Sequence, residues 1–376
     1  MNRAATADLL TGARRWLPLV QRPRPAAVSA VERVAELRAT TDALGENPDP
    51  AAPAAVLNKA ALLLSDAGHS DLAHHLCWQQ FDVYQTAGPG NASGPTAALQ
   101  PLVNIARLHT RAGEADRAYG ILDDLHLAVL DGGTATIDGR HVDLAALIRP
   151  EDHQQAATFT WSVLLADGTR ALAQAGRWTE AADRVRDHKG IGDRLFDGRQ
   201  AQVLALATTG RTAEAIALLD ASHVAEPWEE AVLLTLRGLC CALSGQPTGV
   251  TVERVQPVLA ALDQDPALIV FRTRVAAMLL GLLDDAPSVG HAAGAVLDDL
   301  VVHADGYAAH DLLAAPWLFP RFSVGQRRVL DDDVAQAALV SHLSASLIDR
   351  LLSTARCAAN FLSATSAGLS TKNPGM

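Results

Sequence analysis

The chain has 376 residues, with 42 acidic against 31 basic side chains and a formal net charge of −11. That balance excludes a broad phosphate-binding surface, which needs concentrated Lys and Arg, so no nucleic-acid partner is expected. With 49% hydrophobic and 19% charged residues the chain can build a sizeable core, which excludes general disorder.

Aromatics supply only 4% of the residues, so Leu, Val, Ile and Ala must fill that core. Ala-Leu-rich sequence with few strand-forming runs predicts an all-α protein. Residues 1–25 carry Arg14, Arg15, Arg22 and Arg24 around Trp16, and Pro23 and Pro25 block a helix there. They are expected to form a flexible N-terminal segment. An amphipathic helix over 28–44 ends at Gly45 and an Asn47-Pro48-Asp49-Pro50 linker. Helical pairs follow over 53–67 with 71–86 and, past a Gly/Pro/Ser loop at 88–95, over 96–112 with 115–130.

The helical pattern breaks over 131–150. There Thr136-Ile137-Asp138-Gly139-Arg140-His141-Val142 alternates around Asp-Gly, the strongest short-range hairpin signal, so a small β-hairpin insertion is expected near 136–142. It either shapes a binding surface or only lengthens a connection. Helices are predicted again over 153–175, 180–188, 195–209, 213–223 and 228–245, then over 252–262, 267–283 and 289–303. Aromatics and prolines concentrate over 303–322. Residues 334–361 read as one long amphipathic helix, able to cap the end of a helical array or to join two copies in a homodimer. Residues 363–376 are expected to be a disordered tail.

Several of these pairs share a frame. Gly176-Arg177-Trp178-Thr179-Glu180-Ala181 and Gly210-Arg211-Thr212-Ala213-Glu214-Ala215 lie 34 residues apart. Glycine suits the first helix's C-terminal cap, since it enters the left-handed region without a Cβ penalty. Thr179 and Thr212 can cap the following helix, and Glu180 and Glu214 fall where its dipole favours an acid. Ala112-Gly113-Glu114 with Ala118, and Ala67-Gly68-His69 with Ala73, repeat the frame, and a fifth first helix runs toward Gly245. The pattern resembles tetratricopeptide-repeat (TPR) proteins, with their period of ~34 residues. It departs from that family at His109, Leu172 and Leu206, where a Tyr is usual, and at Gln246-Pro247-Thr248-Gly249. The resemblance implies a TPR-like array of antiparallel helical pairs, an α-solenoid. It gives a division into 1–25, repeats over 26–245 with the insertion at 131–150, an irregular helical region over 246–362, and the tail from 363.

The four cysteines form no Cys-x-x-Cys pair, and Cys77 and Cys240 fall in apolar helical runs, so buried free thiols in a reducing compartment are expected. No secretory leader and no membrane-length apolar run is evident, which points to a cytoplasmic protein without a membrane partner.

Chemistry is harder to find. The Asp pairs at 123–124, 284–285, 298–299 and 331–333 lack the third Asp of an Asp-Asp-x-x-Asp helix, and no His-Glu-x-x-His or nucleotide-binding glycine loop occurs. No cofactor or metal is expected. His303, His310 and Asp311 are the best catalytic candidates. In TPR-like arrays first-helix side chains line the concave face and hold extended peptides. Arg107 and Arg170 each stand six residues before a frame glycine, with Asn104, Trp161 and Gln200 as expected neighbours. The arginines either line one groove, where their donor forks suit carboxylates, or solvate their own helices. The leading expectation is a non-enzymatic helical-repeat protein that binds a peptide or protein partner in that groove, in a scaffold, accessory or regulatory role. The alternative is an all-α enzyme of small-molecule or peptide-modifying biosynthesis with a site near 303–322.

Overall fold

A computed structural model describes residues 3–45, 51–89, 94–283, 289–339 and 343–370. The elements run α1 (Arg3–Ala13), α2 (Ala30–Asp42), α3 (Ala51–Asp66), α4 (Ser70–Ala87), α5 (Pro95–Arg111) and α6 (Ala115–Asp131). A hairpin of β1 (Thr134–Ile137) and β2 (Arg140–Asp143) follows. Then come α7 (His153–Val163), α8 (Thr169–Gln174), α9 (Trp178–Asp187), α10 (Asp197–Thr208), α11 (Thr212–Asp220), α12 (Pro227–Leu243) and α13 (Val252–Ala260). The chain continues through α14 (Ile269–Leu282), α15 (Val289–His303), α16 (Gly306–Leu313), α17 (Val324–Gln336) and α18 (Ala345–Ser370). The described protein is thus all-α apart from one two-stranded sheet. The Asn47–Pro50 linker, the 284–285 Asp pair, residues 90–93 of the 88–95 loop and the last six residues lie outside the described residues.

The frame glycines act as the sequence requires. Gly68, Gly113, Gly176, Gly210 and Gly245 all take φ between 73° and 81°. At each, the glycine N–H donates to the carbonyl three residues back, and the next N–H donates to the carbonyl five residues before it. The pairs are Gly113 to Thr110 with Glu114 to His109, and Gly210 to Ala207 with Arg211 to Leu206. Gly68, Gly176 and Gly245 repeat them. This is the Schellman closure, which satisfies helix-end carbonyls that would otherwise face no donor. Between α7 and α8 the helix does not break but widens into a π turn over Leu164–Gly168, an insertion often kept at functional positions.

The chain divides into two compact units, one of residues 1–28 with 172–337 and one of 29–171 with 338–376. In the first, α9 to α12 pack each on the next, and α1 packs on α12 and α14. A continuous core joins Leu9, Trp16 and Leu19 to Leu236, Met278, Leu312 and Leu330. Leu9, Trp16, Leu17, Leu19 and Val20, in the segment expected to be flexible, are therefore core. Trp16 is 1% exposed, and its indole N–H donates to Asp311.

In the second unit α3 to α6 pack each on the next, α6 packs on α7, and the hairpin lies on α6 through buried Ala135, Ile137 and Val142. The helix expected over 334–361 is two elements. Helix α17 stops at Gln336, Ala338 takes φ 54°, and α18 starts only at Ala345. Helix α18 packs on α2, α3 and α4 with Leu347, Leu351, Ala355 and Leu362 buried. That apolar stripe, read as able to cap a helical array or to join two copies, is buried within the chain, and the helix runs through 363–370 where a disordered tail was expected. Cys77 and Cys240 are buried free thiols, each pushed up to about 12 by burial.

Glu229 shows how the first unit ties a helix start to a loop. At 0% exposure it accepts from the Ala225 and Glu226 N–H groups and from Nε and Nη2 of Arg194. Burial works against its charge, but Arg194 and those backbone donors outweigh burial and hold its carboxyl below the usual range. A depressed folded-state pKa means stability that is present above about pH 4.3 and fades as pH falls below it. Glu229→Gln is expected to lose roughly 1–3 kcal/mol at pH 7, with a smaller gap to wild type at about pH 3.5. Urea midpoints at the two pH values check this.

Candidate functional site

The second unit gathers ionisable side chains from four successive elements at one place. His74 stands one turn into α4, and His109 lies in the last turn of α5. Glu114 precedes α6, and Arg117 is in its first turn. The hairpin tip supplies Asp138. Asp138 and Gly139 take φ 50° and 77°, the pair of left-handed residues that a two-residue type I′ turn requires. Asp tolerates this conformation better than most residues, so the turn that suits the hairpin also delivers a carboxylate.

Asp138 Oδ2 lies 2.8 Å from His74 Nε2 and 3.1 Å from His109 Nε2, which is also 3.1 Å from Oδ1. Arg117 Nε donates to Oδ1 at 3.0 Å. The Asp138 side chain is 6% exposed. Burial penalises its charge, yet the contacts to His74 and His109 and the charges of His109 and Arg117 outweigh burial and hold Asp138 below the ordinary carboxylate range. On its far side His109 places Nδ1 2.7 Å from Glu114 Oε2. His74, His109 and Asp138 each offer one ligand atom, all within 4.8 Å of one another, and no other such group occurs among the described residues.

His74 also faces an open cleft of about 860 Å³ along α4, lined by His75, Trp78, Asp82, Arg140 and Ser363 among others. Arg140 stacks 4.0 Å over the Trp78 ring and pairs with Asp82, so the cleft wall joins an aromatic face to a neutralised ion pair.

The groove residues fall into two groups. Asn104 and Arg107 meet on α5. Asn104 Nδ2 donates to Asn58 Oδ1 on α3 at 2.9 Å, and Gln100 Nε2 and Arg107 Nη1 donate to Asn104 Oδ1 at 3.0 and 3.2 Å. Arg107 Nε then reaches Asp167 in the π turn at 2.9 Å. Trp161 is partly exposed on α7, and Arg170 is half-buried on α8. Gln200 does not join them. It belongs to the other unit, is 0% exposed, and spends its amide on the Leu19 N–H and on the carbonyls of Leu19 and Leu195.

The 303–322 candidates do not converge. Asp311 is buried and accepts from the Trp16 indole and from Arg274, which makes it a structural anchor. His303 pairs with Asp299 one turn back on α15 and lines a cleft of about 400 Å³ with Arg272, Asp299 and Asp305. His310 is half-buried on α16.

Sequence reading noticed the Asp-Gly turn and the histidine standing in place of Tyr at 109, but gave neither a role. The signal was the hairpin itself, whose tip residue is ionisable. No family model, no curated protein and no solved structure matches the chain.

Proposed function

We propose that the protein is a TPR-like helical-repeat binding module that holds an extended peptide on the first-helix face of α3, α5 and α7. The carrying observation is the side-chain ladder Asn58–Asn104–Arg107–Asp167, which links α3, α5 and the π turn that follows α7 as one hydrogen-bonded track. Contacts of α3 with α5 and of α5 with α7 support the repeat reading, because a stack of pairs brings alternate helices together. Carboxamides offer both donors and acceptors to a peptide backbone, and Arg107, 45% exposed, keeps donors for a side chain or terminal carboxylate. Trp161 adds an apolar contact at the α7 end.

The test is a random-peptide display selection against the purified protein, followed by affinity measurement of the enriched sequences. Asn104→Ala and Arg107→Ala are each expected to weaken those peptides about tenfold, with melting unchanged. A selection that enriches no sequence, or affinities indifferent to both variants, overturns the reading. The second reading, an all-α enzyme with its site near 303–322, draws its support from the cleft that brings His303, Arg272 and Asp305 together.

A further inference from the structure

We propose that His74, His109 and Asp138 form a binding site for a divalent first-row transition-metal ion of the zinc class. The inference is independent of the peptide ladder and starts from the convergence of ligand atoms. His109 turns Nδ1 to Glu114 Oε2 at 2.7 Å and Nε2 to both oxygens of Asp138 at 3.1 Å. Something positive between Nε2 and those oxygens, a proton or a metal cation, is what holds the two groups together.

The surroundings favour the cation. His74 directs its own Nε2 at the same oxygen, Oδ2, so two imidazole nitrogens and one carboxylate oxygen converge. Donors bonded to one tetrahedral zinc ion at about 2.0–2.2 Å stand about 3.3–3.6 Å apart, a little wider than the 2.8 and 3.1 Å from Asp138 Oδ2 to the two imidazole nitrogens, and the three ligand atoms all lie within 4.8 Å of one another. Arg117 holds the opposite oxygen, Oδ1, leaving Oδ2 as a monodentate ligand. Glu114 behind His109 is the outer carboxylate that commonly orients a metal-bound imidazole and raises its basicity. The donor set of two imidazoles and a carboxylate suits zinc and its neighbours rather than calcium or magnesium. His74, with 36% of its side chain exposed, lies on the edge of the 860 Å³ cleft. The ion therefore has protein ligands on one side and coordination positions open toward solvent on the other, as in sites where a metal binds or activates a further ligand.

The experiment strips the full chain with a chelator, dialyses it against Zn²⁺ or Co²⁺, and measures bound metal by elemental analysis and affinity by calorimetry. One Zn²⁺ per chain is expected, and the Co²⁺ form should show visible d–d absorption. Asp138→Asn is the decisive variant. Asn keeps the left-handed turn but removes the charge, so metal uptake should fall below stoichiometry while circular-dichroism melting holds. His109→Gln should do the same, and Glu114→Gln should weaken binding about 10- to 100-fold. A wild-type chain that takes up no Zn²⁺ overturns the proposal and leaves His109 as an imidazolium between two carboxylates. Uptake that persists in both Asp138→Asn and His109→Gln overturns it too, because the ion is then bound elsewhere.

Discussion

Trp16→Ala is expected to destabilise the first unit by roughly 3–5 kcal/mol, the cost of emptying a fully packed aromatic site. Trp16 is 1% exposed, in a run with Leu17 and Leu19 that is likewise buried, and meets Trp317 edge-on with ring centres 5.3 Å apart. The substitution also strips the indole donor from Asp311, which is buried and shared with Arg274. Trp317 lies so close that a Cβ on Gly12 or Gly281 would stand 2.4 or 2.6 Å from its ring, so the cavity cannot fill by collapse on that side. Trp16→Phe keeps most of the volume but not the N–H, and should cost about 1–3 kcal/mol. Chemical denaturation followed by circular dichroism orders the two. A loss under about 1 kcal/mol for Trp16→Ala would return residues 1–25 to the flexible segment that composition suggests.

What was legible follows from the range of each interaction. The glycine caps and the Asp-Gly turn are local: their dihedral angles belong to a few consecutive residues, and the sequence shows those residues together. Helix bounds came within a few residues for the same reason, as with α15, read as 289–303 and found as Val289–His303. Trp16 was misjudged because its partner, Asp311, stands 295 positions away, and no window along the chain joins them. The His74–His109–Asp138 cluster is hidden likewise, since each member is unremarkable within its own element and chemistry appears only where the elements meet. Gln200 was expected beside Arg107 and Arg170, but the N-terminal backbone at Leu19, 181 positions away, takes its amide. The break between α17 and α18 has no glycine to announce it, because Ala338 takes the left-handed conformation that its type usually avoids.

Ending the chain after Leu343, and so removing α18, is expected to unfold α2–α4 rather than merely alter assembly. The helix buries Leu347, Leu351 and Leu362, with Ala355, Ala358 and Ala359 between them, against three helices of its own unit. Each fully buried Leu is worth about 1.5–3 kcal/mol, so the three alone contribute roughly 5–9 kcal/mol. That is comparable with the whole stability of an ordinary domain, about 5–15 kcal/mol. Amide exchange across α3 and α4 should lose its protection in the truncated chain. Leu351→Ala, at 0% exposure, gives the milder form of the test, with an expected loss of about 2–5 kcal/mol. The opposite outcome is equally definite. A truncated chain that keeps its exchange protection and melting but halves its mass in solution would make α18 a surface between two copies, and its packing on α2–α4 would then contribute little to the fold.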